Sequence, residues 1–161
     1  DIIVNVQADE PFIDPADIDR VITLLMEDSA ADMGTLIKKI TTVEELESPH
    51  TAKVVCSAAG YALYFSRNPI PFCRDLDDKK SWLSEHTYYR HIGVYSYRSD
   101  FLRVFCSMKT SVLENTEKLE QLRALENGAL IRVGLTDSEC FGVDSKADLK
   151  KARQLYKEHY S

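Results

Sequence analysis

Apolar residues recur along this chain at two different spacings, and the changes between them mark out its elements. Asp1 to Val6 is a nearly continuous apolar run, the pattern of a strand covered on both faces. It runs straight into Gln7-Ala8-Asp9-Glu10-Pro11, so it predicts a parallel strand that delivers two carboxylates to the rim of a sheet. In open α/β sheets ligands bind at that rim, and Pro11 holds Glu10 to extended backbone. Asp14-Pro15 is a helix start, and Ile18, Val21, Ile22 and Leu25 follow at helical spacing, predicting a helix over Pro15 to Glu27. Met33 to Ile37 is the next strand, which makes a right-handed parallel strand-helix-strand unit the expectation.

Thr42 to Glu45 predicts a short capped helical turn, and Ala52 to Cys56 and Tyr61 to Phe65 form a hairpin around Ala58-Ala59-Gly60. From Arg67 to Thr87 the periodicity dissolves into Asn68-Pro69-Ile70-Pro71 and a polar run, which predicts a long, exposed, mobile loop. Tyr88 to Tyr97 reads as a strand with His91, Gly93, Tyr95 and Tyr97 on one face and Ile92 and Val94 on the other. Ser99 is expected to cap a helix reaching Phe105, and a longer helix runs from about Glu117 to a stop at Gly128. Leu130 to Val133 makes a short strand, and Ser145 to Asp148 resembles a capping box opening a last helix through about Glu158. The whole predicts one α/β domain over residues 1–161, with a mixed, mainly parallel sheet, flanking helices and an inserted β-hairpin.

Composition narrows the function classes. A net charge of −6 offers no positive field for nucleic acid, and no apolar stretch approaches the ~20 residues that cross a bilayer. The N-terminus lacks the basic and apolar segments of a signal peptide. Cys56, Cys73, Cys106 and Cys140 have no metal-binding spacing and read as reduced core cysteines of a cytosolic protein.

The candidate chemistry begins with Asp9 and Asp144, two aspartates on separate loops. They suit Mg2+, which takes one or two carboxylates together with substrate phosphates. Equally, Asp9 is a solvated turn residue and Asp144 the lead-in to a helix. On the helix near Glu117, Leu119, Leu122 and Leu125 form one face. Glu117, Glu120, Gln121 and Ala124 form the other, which presents hydrogen-bonding groups to a polyol or is simply the wet side. Arg67 and Arg74 flank the Pro-rich segment and offer bidentate forks for carboxylate or phosphate, or are surface arginines. His91 either donates to a sugar hydroxyl or sits in the core. No Walker, Gly-x-Gly-x-x-Gly or Gly-x-Ser-x-Gly motif occurs.

These segments resemble the family of cytidylyltransferases that activate 3-deoxy-D-manno-octulosonic acid (Kdo), the CMP-Kdo synthetases. The matching pieces are Asn5 to Pro11, Ala62 to Arg67, Ile70-Pro71, His91 to Arg98, Leu119 to Arg123, Glu126 to Gly128 and Gly142 to Asp144, in the family's order. The resemblance implies a nucleotide-diphospho-sugar transferase-like fold. It also implies attack of the sugar's anomeric hydroxyl on the α-phosphorus of CTP, yielding CMP-Kdo for lipopolysaccharide synthesis in the cytoplasm, by a homodimer. By the same resemblance Asp9 and Asp144 hold Mg2+, Gln7 lies close to the reacting groups, and Arg67, His91, Tyr95, Glu120 and Gln121 line the Kdo site, with Arg67 on its carboxylate. The family has glycine where Ala8 stands. It also begins with a triphosphate-binding segment absent from these residues, so the chain resembles the C-terminal portion of such an enzyme and is expected to bind CTP poorly alone. A sister enzyme for another acidic sugar such as sialic acid, or a non-catalytic dimerisation module, are the alternatives.

Overall fold

A computed structural model describes residues 1–8, 10–138, 142–143 and 146–160, the last stretch with backbone only at 147, 148, 159 and 160. Its elements run β1 (Ile2–Val6), α1 (Pro15–Glu27), β2 (Met33–Lys39), α2 (Val43–Glu47), β3 (Lys53–Cys56), β4 (Ala62–Ser66), α3 (Lys79–Glu85) and β5 (Tyr89–Arg98). There follow α4 (Ser99–Ser107), α5 (Val112–Glu117), α6 (Gln121–Glu126), β6 (Ile131–Leu135) and α7 (Lys146–Tyr160). The strands form one sheet in the order β4-β3-β5-β2-β6, with β1 also paired to β5.

The α/β class, the mixed sheet, the flanking helices and the β3–β4 hairpin are as the sequence predicts, but the sheet is largely antiparallel. β2 and β6 are the parallel pair, whereas β1, β2 and β3 all pair antiparallel with β5, and β3 with β4. The long strand β5 lies between β1 and β2, so these two run in the same direction without touching as a parallel pair. Local pattern could not reveal this, because β5 arrives from more than fifty residues downstream. β1 is also not covered on both faces: Ile3 is 42% and Val6 39% exposed.

Two apolar layers sandwich the sheet. Val21 and Leu24 of α1 pack with Leu36, Ile92 and Val94 on one face. On the other, Tyr95, Tyr97, Met33 and Ile37 meet Phe105 of α4 and Leu119, Leu122 and Ala124 at α6. This reproduces the two faces predicted for β5. Helix α1 approaches closely at Gly34, where an added Cβ would come within 2.7 Å of Ser96 Oγ and 3.3 Å of the Val21 carbonyl. Ser96 donates to that same carbonyl at 2.5 Å, bonding helix to sheet inside the core.

The segment expected to be a mobile loop is instead built around a third small core. Trp82 of α3 and Tyr88 pack with Ile40 and Leu46, and with Cys73, Leu76 and Leu83 at the edges. Trp82 Nε1 donates to the Leu76 carbonyl at 2.8 Å, and the Tyr88 hydroxyl to that of Pro71 at 2.7 Å. The Ile70–Pro71 peptide is cis. Asp78 caps α3 by accepting from Lys80 N. A polar run thus folds because one tryptophan and one tyrosine anchor it.

The helix expected from Glu117 to Gly128 is two short helices. α5 starts in a capping box at Ser111 and Glu114 and ends where Lys118 turns left-handed at φ 55°. That conformation costs an L-residue roughly 1–2 kcal/mol, so it needs outside support. The support comes from Arg67, whose Nε donates to the Glu117 carbonyl at 2.7 Å and whose NH2 donates to that of Lys118 at 3.3 Å. α4 begins one residue earlier than expected: Arg98, not Ser99, occupies the N-cap. Cys56 and Cys73 are free and half-buried against the core clusters, as a core reading expects, whereas Cys106 is free but exposed and does not fit it. Cys140 and the Ser145 cap lie outside the described residues.

Candidate functional site

The end of β1 and the middle of β5 bring several of the predicted residues to one face of the sheet. Ile3, Asn5, Tyr95 and Tyr97 share this face by register, with Asn5 opposite Tyr95. Beyond the strand the chain turns, Glu10 N donating to the Gln7 carbonyl at 3.1 Å. The Gln7 side chain lies over Gly93, where an added Cβ would sit 3.7 Å from its Cδ. Gln7 thus packs on the strand at Gly93, between His91 and Tyr95.

His91 and Tyr95 stand in ring contact, centroids 5.2 Å apart, and His91 also meets the edge of Phe65 at 5.2 Å. Burial pushes the imidazole down to about 3, so the ring is neutral near pH 7. Burial likewise holds the Tyr95 phenol well above its ordinary range. His91 Nε2 lies 2.9 Å from the hydroxyl of Thr35, a fully buried residue that the sequence pattern did not single out.

Helix α6 covers the same face and carries Gln121, which is 3% exposed. Its Nε2 is buried and has no hydrogen-bond partner among the described residues. The polar face of this helix is thus not its wet side: Gln121 and Ala124 are as buried as Leu122. A buried amide donor without an acceptor costs about 1–3 kcal/mol, which an acceptor on a bound water or ligand would recover. Glu120, by contrast, is exposed and pairs with Arg123 at 3.0 Å. Both line a cleft of about 380 Å³ together with Ile3, Asn5, Tyr97 and Phe105. Arg123 is fixed there by Glu114 at 2.9 Å and by the Phe105 ring below its guanidinium.

The two candidate arginines are placed differently. Arg67 is engaged by main-chain carbonyls: besides those ending α5, its NH1 donates to Pro49 at 2.8 Å and His50 at 3.5 Å. Glu117 closes the arrangement, its carboxylate accepting from Arg67 N at 2.9 Å and Ser66 Oγ at 2.7 Å. Fully buried Lys53 donates to the Ser48 and Thr51 carbonyls at 2.7 and 2.6 Å. Burial first, then the neighbouring Arg67 cation, lowers its basicity. Lys53 and Arg67 together hold the 48–51 turn, a role for Arg67 that no motif announces. Arg74 is exposed and makes no bond to a described residue. Asp9 and Asp144, the expected metal ligands, lie outside the described residues, and among the described ones no cluster of acidic, histidine or cysteine side chains is built to hold a metal.

Comparison with known proteins gives this geometry a context. Residues 1–133 match the family model described as cytidylyltransferase. A protein of Geobacter sulfurreducens named 3-deoxy-manno-octulosonate cytidylyltransferase is 50% identical over 161 aligned residues, covering 98% of this chain and 64% of its own. One of the same name from Bacteroides thetaiotaomicron is 46% identical, covering 98% of this chain and 63% of its own. The chain thus spans about 64% of the length of such relatives. A solved structure of a CMP:2-keto-3-deoxy-manno-octonic acid synthetase complexed with CTP superposes with TM-score 0.86 at 36% identity, over 98% of this chain and 62% of that one. A structure described as a glucose-1-phosphate thymidylyltransferase of Bacillus anthracis, 13% identical with TM-score 0.58, shares the fold across all of this chain and 56% of its own.

Proposed function

The chain belongs to the cytidylyltransferase family, and from that premise we propose that it serves transfer of CMP from CTP to Kdo. The reading rests above all on its 50% identity, across 98% of its length, to a protein named for that reaction. The unpartnered Gln121 amide, on the helix that packs over the Tyr95 face of the sheet, supports a polyhydroxylated ligand there. No helix of the described residues is long and apolar enough to cross a membrane. Separately, the family resemblance brings to the reading a cytoplasmic homodimer supplying lipopolysaccharide synthesis.

In the proposed reaction the sugar's anomeric oxygen bonds to the α-phosphorus, the bond to the bridging oxygen breaks, pyrophosphate leaves, and the hydroxyl proton passes to solvent. Rate then comes from positioning and charge neutralisation, as in phosphoryl transfer generally. Gln7, at the β1 end beside Gly93, orients the reacting groups. Tyr95, Gln121 and His91 fix hydroxyls of the sugar, and Glu120 contributes from the adjoining cleft. Arg67 meets the sugar carboxylate by exchanging neutral carbonyl acceptors for a charged one, which makes the stronger bond. Arg74, exposed on its loop, is free to add a second cation. Asp9 and Asp144 would hold Mg2+, whose charge offsets that of the nucleotide phosphates; two carboxylates with open positions are the donor set this ion takes.

Titration calorimetry tests this reading. Kdo should bind the chain and sialic acid should not; CTP binding, weak in the chain alone, should still depend on Mg2+ and fall with Asp9→Ala or Asp144→Ala. Equal heats for both sugars, or CTP binding indifferent to Mg2+ and to both substitutions, would overturn it.

A further inference from the structure

The pairing of β2 with β5 slips between Thr35 and Leu36: Thr35 lies opposite Tyr95, and Leu36 opposite Ile92. Gly93 and Val94 therefore have no opposite residue on β2. The Thr35 hydroxyl fills the gap, 2.8 Å from the Val94 carbonyl and 3.2 Å from that of Ile92, with His91 Nε2 at 2.9 Å on the same oxygen. Thr35 is completely buried, and Val94 nearly so.

A threonine hydroxyl has one proton and two lone pairs. Donated to the Val94 carbonyl, that proton leaves a lone pair to accept Nε2–H from His91, and all three groups are satisfied. Donated to His91 instead, it leaves the buried Val94 carbonyl without this donor. It also moves the imidazole's proton to Nδ1, where no described residue accepts it. Stranding even one buried polar group weights the choice by roughly tenfold, so the first arrangement prevails. Burial keeps the ring from taking a second proton.

We propose that Thr35 is a positioning residue: its hydroxyl, donated into the β5 bulge, holds His91 in the Nε2–H form and so presents Nδ1 as a neutral acceptor to a hydroxyl of the sugar. The direction of that bond is the reverse of the donor role expected from the sequence. The sugar rests on the reading of the previous section, whereas the lock on the ring does not.

The test is a long-range 1H–15N correlation spectrum of the chain labelled at the ring nitrogens of its 4 histidines, with the His91 signals assigned through His91→Gln. A single His91 form with the proton on Nε2 is expected, retained in Thr35→Ser and replaced by a mixture of both forms in Thr35→Val. Kdo should then shift Nδ1 towards the value of a hydrogen-bonded acceptor, with affinity about tenfold weaker in Thr35→Val and within about twofold of the parent in Thr35→Ser. A parent ring protonated on Nδ1 overturns the lock, as does a folded Thr35→Val with the parent's form unchanged. Should Thr35→Val fail to fold, the parent and Thr35→Ser spectra decide. A locked ring whose Nδ1 ignores bound Kdo overturns the acceptor role, and absence of any Kdo binding strikes the proposed function instead.

Discussion

Glu117→Gln is the substitution whose consequences the structure defines best. The Glu117 carboxylate accepts from Ser66 Oγ and Arg67 N and is the negative charge beside both the buried Lys53 and Arg67. Glutamine keeps the helix and the volume but removes one negative charge from beside two neighbouring cations, leaving Glu45 as the remaining carboxylate that acts on Lys53. A hydrogen bond to a charged group contributes about 1.5–3 kcal/mol; Glu117 is half-buried and makes two, which glutamine would keep only in neutral form, so about 2 kcal/mol is expected. In a chain of this size that lowers Tm by roughly 4–8 °C. Urea unfolding at pH 7 measures it, with an unchanged m-value showing that the unfolded state is not at issue.

Two controls separate charge from shape. Lys53→Met should cost at least about 1 kcal/mol less in the Glu117→Gln background than in the parent, because the glutamine variant already suffers from that cation. The pH dependence has a definite sign. Lys53 has a folded basicity below its unfolded one, so the unfolded chain binds more protons and stability rises with pH between the two values. Without Glu117 the folded value falls further, so the deficit of Glu117→Gln is full at neutral pH and shrinks as pH rises towards the ordinary lysine range. A loss under about 0.5 kcal/mol, or a deficit that grows with pH, would refute the reasoning.

Three further expectations follow from other parts of the molecule. Trp82→Ala should cost about 3–5 kcal/mol in urea unfolding, since Trp82 is 4% exposed and anchors the 67–87 segment; a cost under about 1 kcal/mol would return that segment to a mobile loop. Gln121→Met should leave stability equal or raise it by about 1 kcal/mol, since it removes a stranded amide, yet weaken Kdo binding at least about tenfold in calorimetry; a variant both destabilised and fully binding would contradict a ligand-facing amide. Burial raises the Cys56 thiol to about 11, so at pH 8 a disulfide reagent should modify exposed Cys106 first and leave Cys56 unmodified in the folded chain, which peptide mass mapping reads directly.

The elements that the sequence announces are those whose determinants are local. Asp14 and Pro15 start α1, Thr42 caps α2, and Gly60 turns the hairpin, each within a few residues of the feature it sets. The failures all involve a distant partner. The direction of the sheet depends on β5 entering between β1 and β2, and nothing in Asp1 to Val6 encodes that neighbour. The break at Lys118 depends on Arg67, about fifty residues away, accepting the work of a C-cap. The 67–87 segment looks polar because one tryptophan carries most of its burial.

Much the same holds for the candidate site. The alternation on β5 does bring His91 and Tyr95 to one face, and the motif at the β1 end does put Gln7 beside them. Thr35 went unseen because a threonine inside a strand is ordinary, and only the slipped register gives its hydroxyl a task. The sequence pattern leaves Gln121 open between a polyol-facing and a solvated residue, because amphipathicity cannot tell a wet face from one turned inward; its burial decides against the solvated reading.

Pyrophosphate release from CTP puts the central claim to its most direct test. It would be followed with Mg2+ and either Kdo or sialic acid, for the 161-residue chain and for that chain joined to the part of its longer relatives that it does not span. The account predicts little release from the chain alone, and release from the joined protein with Kdo only, lost on Asp144→Ala and accompanied by CMP-Kdo. No release from a folded joined protein, or equal release with sialic acid, would contradict it.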